Sequence, residues 1–275
     1  MNNAHALKVR LPRTWDAFFG RHGNFTSIQL QAIPLLLDGQ NVLLHAGTAS
    51  GKTEAALAPL IERHLPADRP ERQLTLLYLL PTRALINDMF ARLAAPLNTL
   101  RLTAAVKTRD FNTFNPRRPT DVLLTTPESM DSLMASEAKT LIGVRAIIID
   151  ELHIFDSSVR GDQLRVLLNR LRALRVYAAA HDDAPDDRLQ YAALSATLAQ
   201  PAISAARYYP DAQIISTGEQ RPLHFESIAL EESKPSALLA AMHTFRAHGW
   251  KKALAFCNTR AEVEFYAAQT RAAQS

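Results

Sequence analysis

The alternation of short apolar runs with longer helical segments is the feature of this sequence that most constrains its fold. Residues 74–80 and 146–149 are apolar almost throughout, whereas a strand with one face in water would alternate apolar and polar residues. Fully apolar strands separated by helical segments are typical of parallel βαβ units. The sequence therefore predicts an α/β fold, a doubly wound parallel sheet with helices on both faces.

The same periodicity gives bounds for the individual elements. The predicted strands are residues 41–47, 75–82, 102–108, 121–127, 146–151, 190–197 and 213–218. The predicted helices are residues 27–37, 52–64, 84–97, 128–135, 161–177 and 201–208. Two polar segments, 112–120 and 181–187, are predicted to be solvated loops. The His181-Asp182 pair in the second loop lacks the further ligands that a metal-dependent phosphohydrolase requires.

Composition excludes several classes of protein. Of 275 residues, 47% are hydrophobic and 21% are charged, which is ordinary globular usage and not that of a disordered or fibrous chain. No apolar run approaches the roughly 18 residues that cross a bilayer, and residues 1–13 lack the apolar block of a signal peptide, so we expect a cytoplasmic protein without a membrane partner. The single cysteine, Cys257, excludes an internal disulfide. The net charge of +4 permits a nucleic-acid partner without indicating one.

A polar break at residues 219–222 predicts a domain boundary. Residues 1–218 would form one complete domain. Residues 219–275 start a second α/β pattern, with strands at 225–230 and 251–257 and helices at 236–248 and 261–273. Two strands and two helices are too few for an ordinary independent domain, so this part is predicted to be the incomplete beginning of one.

The strongest local signal follows the first predicted strand and opens the helix at 52–64. It consists of Ala46, Gly47, Thr48, Ala49, Ser50, Gly51, Lys52 and Thr53. In a phosphate-binding loop of this kind, backbone N–H groups surround a phosphate, Lys52 neutralises its oxygens and Thr53 ligates Mg²⁺. Ala46 replaces the usual first glycine, and Ala49 must adopt a backbone conformation that an L-residue tolerates. The alternative is a chance Gly-Lys-Thr after a strand.

A second signal is the acidic pair Asp150-Glu151, which directly follows an apolar strand. In a doubly wound sheet this is the edge at which ligands bind, so both carboxylates would face the phosphate-binding loop. Asp150 would hold Mg²⁺ through water, and Glu151 would orient and deprotonate the attacking water. Alone, such a pair is more often a strand-end cap; together with the loop it favours phosphoryl transfer.

The sequence Asp150-Glu151-Leu152-His153 resembles the DExH box of superfamily 2 helicases, and the other motifs of that superfamily follow in order. Gln29 resembles the Q-motif glutamine, Pro81-Thr82-Arg83-Ala84-Leu85 resembles motif Ia, and Thr125-Thr126-Pro127-Glu128 resembles motif Ib. Ser195-Ala196-Thr197 is similar to motif III, and residues 256–260 to motif IV. Thr125 to Ser129 together with Arg160-Gly161 are most like the Lhr-type helicases.

The resemblance implies a RecA-like domain that binds ATP and Mg²⁺ and holds single-stranded DNA or RNA. Gln29 would read the adenine edge, and Pro81, Thr82, Arg83, Thr125 and Thr126 would contact the nucleic-acid backbone. His153, Ser195 and Thr197 would couple ATP hydrolysis to strand movement. Protein partners would belong to a repair, RNA-processing or defence complex.

Ordinary structural roles are the alternative to function for several of these residues. The threonines could be ordinary helix caps, His153 could be a packed histidine, and Arg160 could bind a strand phosphate or cap a loop.

Motifs V and VI, which carry the arginines that reach the γ-phosphate, are not found in these 275 residues. The chain alone is therefore predicted to hydrolyse ATP poorly. Two other functions remain open at this point: a nucleotide-dependent binding module that does not turn over, and a P-loop enzyme, such as a transport ATPase, that does not touch nucleic acid.

Overall fold

The computed structural model describes residues 3–68, 72–181, 183–209, 211–217, 256–257 and 259–272. The chain divides into two compact units, with the division between Arg221 and Pro222. Within the described residues, no helix is both long enough and apolar enough to cross a membrane.

A seven-stranded sheet forms the centre of the first unit. Its strands are β1 (Val42–His45), β2 (Leu76–Leu79), β3 (Ala104–Lys107), β4 (Val122–Thr125), β5 (Ala146–Ile149), β6 (Gln190–Ser195) and β7 (Gln213–Ser216). Their order across the sheet is β3-β4-β2-β5-β6-β1-β7, and every pairing is parallel. The predicted doubly wound α/β fold is confirmed, with strands shorter than predicted because their polar ends belong to loops.

Both faces of the sheet are covered. One core contains the side chains of Leu44, Leu76 and Ile148. The other contains Leu43 and Leu77, which are their neighbours along the strands and point to the opposite face. The nearly continuous apolar character of the strands is explained by this double burial.

Helices lie between the strands and before them. They are α1 (Asn3–Val9), α2 (Thr14–Phe18), α3 (Ser27–Leu37), α4 (Lys52–His64), α5 (Arg83–Thr99), α6 (Pro127–Ser136), α7 (Leu152–Phe155), α8 (Val159–Ala180) and α9 (Pro201–Tyr208). A 3₁₀ turn covers Ala138–Leu141. The bounds of α3, α4 and α9 agree with the prediction, and α5, α6 and α8 are one to three residues longer at either end.

Helices α1, α2 and α7 were not predicted. They are seven, five and four residues long, too short for a 3.6-residue period to stand out. Helix α2 is held by a tertiary contact, because the Thr14 hydroxyl donates to Glu62 of α4 at 2.8 Å.

The second unit is described in part. A helix covers Arg260–Ala272, close to the predicted 261–273. The predicted elements at 225–230 and 236–248, and most of the strand at 251–257, lie outside the described residues; Phe256 and Cys257, which are described, are not in a strand. The assignment of this unit as the start of a second domain stays a prediction.

Candidate functional site

The phosphate-binding loop and the acidic pair lie at one edge of the sheet. The loop follows β1, the pair follows β5, and the two strands are separated only by β6. Because all strands are parallel, their carboxyl ends share this edge. The sheet order therefore brings together two sequence motifs that are far apart along the chain.

The loop closes around the Lys52 ammonium group. Its Nζ donates to the carbonyl of Ala46 at 2.6 Å and to that of Gly47 at 2.7 Å. Burial lowers the pKa of Lys52, and the charges of Glu151 and Asp150 oppose that shift. The cation is thus held inside the loop, in electrostatic contact with both carboxylates.

Ala49 has a left-handed backbone, the least favourable of the conformations that an L-residue tolerates. Its φ of 59° lies in the left-handed region, which costs an L-residue about 1 kcal/mol. The surrounding turn imposes this conformation, since Ser50 Oγ donates to the Gly47 carbonyl at 2.8 Å and Gly51 also has a positive φ, of 86°.

Gln29 packs directly against the phosphate-binding loop. Its Nε2 donates to the Gly51 carbonyl at 3.2 Å, and its Oε1 accepts from the Thr26 backbone N–H at 2.9 Å. A side chain at Gly51 would collide with the Gln29 amide, which explains the glycine there. One N–H of the amide remains for a base edge.

Asp150 is buried and held by two donors. The Tyr78 hydroxyl donates to Oδ2 at 2.8 Å, and the Glu151 backbone N–H donates to Oδ1 at 2.9 Å. Burial raises the pKa of Asp150, and the bond from Tyr78 acts against this rise. Tyr78 is fully buried in β2, and burial raises the pKa of its hydroxyl well above the usual value. The phenol therefore stays protonated and holds Asp150 in place.

Replacing Tyr78 by phenylalanine is expected to lower the free energy of unfolding by about 1.5–3 kcal/mol, because a hydrogen bond to a buried carboxylate is lost while the ring stays in place. Urea unfolding measures this change. Tyr209→Phe is the matched control: Tyr209 is also buried, but its hydroxyl has no partner among the described residues, so its loss should not be destabilising. Equal effects of the two variants would contradict the role of Tyr78.

Glu151 occupies a strained position between β5 and α7. Its φ is 51°, an unfavourable conformation of a kind that clusters at functional sites. Its Oε2 lies 3.3 Å from His153 Nδ1, and the same nitrogen lies 3.2 Å from Ser195 Oγ. Ser195 in turn donates to the Thr197 carbonyl at 3.4 Å. The structure thus brings the three predicted coupling residues into one chain of contacts with Glu151.

A cavity of about 590 Å³ adjoins these groups. It is lined by the loop residues 48–53, the acidic pair and Gln29, and also by Phe18 and Phe19. Its size suits a ligand of moderate mass, and its lining includes carboxylates, a cation and aromatic side chains. The residues present fit a magnesium nucleotide: oxygen ligands for the metal, a lysine and backbone donors for phosphates, and apolar rings for a base.

The predicted motif Ia and Ib residues end two neighbouring strands, β2 and β4. Thr82 caps α5, accepting from the Leu85 N–H at 3.3 Å, and Thr126 caps α6, accepting from the Ser129 N–H at 3.3 Å. Both threonines are therefore helix caps, the alternative to strand contact that the sequence left open. Thr82 is exposed, whereas Thr126 is 8% exposed.

Arg83 and Thr125 are engaged with other groups of the protein. Arg83 forms an ion pair with Asp110, and the fully buried Thr125 hydroxyl donates to the Lys107 carbonyl at 2.7 Å. Burial disfavours a direct contact between Thr125 and a strand phosphate. Thr125 thus contacts the last residue of β3, and Arg83 contacts the turn that follows it.

Arg160 connects the two motifs. It donates to the Pro81 carbonyl at 2.9 Å and to Glu128 at 2.7 Å, which favours the loop-holding interpretation over binding of a strand phosphate. The next residue, Gly161, has no room for a side chain, because a Cβ there would collide with the Phe155 carbonyl.

The chain resembles known helicases in sequence. The profile of the DEAD/DEAH box helicases matches residues 26–205, a range that contains every motif described above from Gln29 to Ser195. The chain belongs to this helicase family.

The relatives of this helicase domain include Lhr-type proteins, as the sequence predicted. It is 32% identical to the ATP-dependent helicase Lhr-Core of Sulfolobus acidocaldarius over 59% of this chain and 20% of the relative. It is 35% identical to the Lhr helicase/probable uracil glycosylase of Mycolicibacterium smegmatis over 64% of this chain and 12% of the relative. The chain thus spans about a fifth or less of the length of these relatives.

Among solved structures, that of Mycobacterium smegmatis helicase Lhr bound to ssDNA and AMP-PNP superposes with a TM-score of 0.71 at 25% identity, covering 98% of this chain and 36% of the other. The RecA-like α/β fold of the helicase is thereby confirmed.

Two features of the site were not predicted from the sequence. Tyr78 is the one polar side chain within the aliphatic run of β2. A polar group in a strand that is apolar on both faces indicates a buried hydrogen-bond partner. The partner of Arg83, Asp110, gave no signal, because the pair forms only when β3 and β2 are assembled in one sheet.

Proposed function

We propose that this domain binds Mg-ATP and single-stranded nucleic acid, and that in a protein with both helicase domains it couples ATP hydrolysis to movement along the strand. The observation that carries the proposal is the cluster of Lys52, Asp150 and Glu151 at the carboxyl edge of the sheet, next to a cavity of about 590 Å³.

Each residue of the cluster has a distinct role in this proposal. Backbone N–H groups of the loop and the Lys52 ammonium bind phosphate oxygens, where the N-terminus of α4 also favours negative charge. Thr53 and Asp150 would hold Mg²⁺, which would neutralise charge on the phosphates. Tyr78 fixes the orientation of Asp150. Glu151 accepts a proton from the attacking water. His153 contacts both Glu151 and Ser195, so a shift of Glu151 during hydrolysis would also move Ser195.

Support for a nucleic-acid strand comes from the other half of the same edge. Thr82 and Thr126 end adjacent strands there, and the exposed Thr82 offers its hydroxyl and backbone to phosphates and sugars without reading bases. The relative solved with ssDNA and AMP-PNP has the same fold. Binding is therefore expected to be independent of base sequence and to weaken with salt.

The proposal is tested by fluorescence anisotropy on the 275-residue chain, with labelled ATP in one titration and labelled oligothymidine in another. We expect saturable ATP binding that is lost when Mg²⁺ is chelated, and strand binding with a log–log salt slope of about −1 to −2, since each cationic contact contributes about 0.7.

Binding of ATP that chelation leaves unchanged would contradict the metal assignment. Failure to bind single strands would contradict the helicase role and leave a P-loop protein without a nucleic-acid substrate.

A further inference from the structure

The end of β6 and the residues after it are held to strand β1 by two consecutive residues of that strand. Ala46 N–H donates to the Ser195 carbonyl at 3.2 Å, which continues the pairing of the two strands. Leu198 N–H donates to Nε2 of the His45 ring at 3.3 Å. Residues 195–198, which contain motif III, are called the motif III segment below. Strand β1 thus leads into the phosphate-binding loop and also holds the motif III segment.

The bond from Leu198 determines which nitrogen of His45 carries the proton. Because Nε2 accepts a backbone N–H, it has a free lone pair, and the proton of the neutral ring is on Nδ1. Nδ1 lies 3.4 Å from Oγ of Ser216 in β7, which can accept its hydrogen bond. Strand β1 lies between β6 and β7. The ring is therefore oriented by β7 and holds the segment that follows β6.

The described elements around His45 offer it no negative charge. The side chain is half-buried, and β1 packs between β6 and β7 and against helices α3 and α9. None of these four elements contains an aspartate or a glutamate. Their titratable side chains are Tyr191, Tyr208 and Arg207. Burial raises the pKa of both tyrosines, and Arg207 pairs with Asp156 at 2.9 Å. These elements therefore supply no counter-charge to an imidazolium at position 45.

We propose that His45 is a positioning residue that fixes the motif III segment to β1, and that it does so as the neutral imidazole. This inference rests on the proposed function, in which Ser195 and Thr197 of the segment couple ATP hydrolysis to strand movement. A proton on Nε2 would remove the acceptor of the Leu198 N–H and bring two donors together. Histidine side chains change charge between about pH 5 and pH 8, so the segment should be held at neutral pH and released in acid.

The contact lies close to groups that nucleotide binding would change. Lys52 Nζ donates to the carbonyl of Ala46, the residue after His45, at 2.6 Å. A bound phosphate would compete for the same ammonium group, so binding would alter the surroundings of the Ala46 peptide. The N–H of Ala46 donates to Ser195. A change in the phosphate-binding loop can therefore reach the motif III segment through β1.

Amide hydrogen exchange of the 275-residue chain, followed by NMR at Leu198, tests the contact. In the parent, protection relative to the intrinsic exchange rate should fall about 2- to 12-fold from about pH 8 to pH 5, as expected for loss of one hydrogen bond. His45→Gln supplies an amide oxygen that accepts but does not titrate, so protection should stay high throughout. His45→Phe keeps a ring without an acceptor, so protection should be low throughout.

A second histidine also titrates next to this segment, because His153 Nδ1 lies 3.2 Å from Ser195 Oγ. It is present in the parent and in both variants, so the difference between the parent and His45→Gln isolates His45. His181→Gln is the matched control. It removes an exposed histidine at the end of α8 and should leave the pH dependence at Leu198 unchanged.

Titration with Mg-ATP, followed at the same amide, separates positioning from a structural role alone. The Leu198 resonance should shift on binding in the parent and in His45→Gln. In His45→Phe the shift should be much smaller, although the affinity for ATP stays near the parental value.

The outcomes distinguish the two proposals. If the parent does not bind Mg-ATP, the proposed function fails, and the pH profile of Leu198 still decides whether His45 makes the contact. If the parent binds Mg-ATP but exchange at Leu198 is independent of pH, or His45→Phe protects Leu198 as well as the parent does, or the Leu198 resonance does not respond to the nucleotide, the inference about His45 is wrong while the proposed function stands.

Discussion

Replacing Glu151 by glutamine is expected to lower the rate of ATP hydrolysis by about 10²- to 10⁴-fold, the contribution typical of a general base. The amide has the shape of the carboxylate but does not accept the proton of the attacking water. The left-handed backbone of Glu151 and its contact with His153 are compatible with glutamine, so nucleotide affinity should stay near the parental value.

This measurement requires a protein that carries both helicase domains, because the resemblance implies that arginines of the second domain contribute to the hydrolytic step. Loss of such arginines costs about 10³- to 10⁵-fold in other phosphoryl-transfer enzymes. Glu137→Gln is the matched control, since Glu137 is an exposed carboxylate at the end of α6. Parental turnover in the Glu151 variant would show that another group is the base.

Replacing Lys52 by alanine is expected to weaken Mg-ATP binding by at least about 100-fold. Each hydrogen bond between an ammonium and a charged oxygen contributes about 1.5–3 kcal/mol, and no other lysine lines the cavity within the described residues. Titration with labelled ATP on the 275-residue chain measures the loss, with Lys139→Ala as the control for charge.

The effect of this substitution on folding should be small. Lys52 lies at the edge of the cavity and contacts carbonyls of a solvent-facing loop, so urea unfolding should change by about 1 kcal/mol or less. An unchanged affinity for ATP would contradict the assignment of the loop, whereas a large loss of stability would mean that Lys52 holds the loop together.

Local features of the chain determined most of the fold and the residues of the candidate nucleotide site. The strands could be predicted because runs such as 146–149 are apolar on both faces, a property that needs no knowledge of neighbours. The phosphate-binding loop and the acidic pair could be predicted because each is a short contiguous segment with its own chemistry. The order of the motifs along the chain indicated the helicase family for the same reason.

Tertiary structure alone decided which groups those segments contact. Tyr78 meets Asp150 because β2 and β5 are neighbours in the sheet. Arg83 meets Asp110 and Thr125 meets Lys107, because β2 and β4 lie in the same half of the sheet as β3. The backbones of Ala49 and Glu151 adopt left-handed conformations that neither residue prefers. Contacts across strands depend on sheet order and register, and strained backbones depend on the surrounding packing, so neither is encoded in the local pattern of residues.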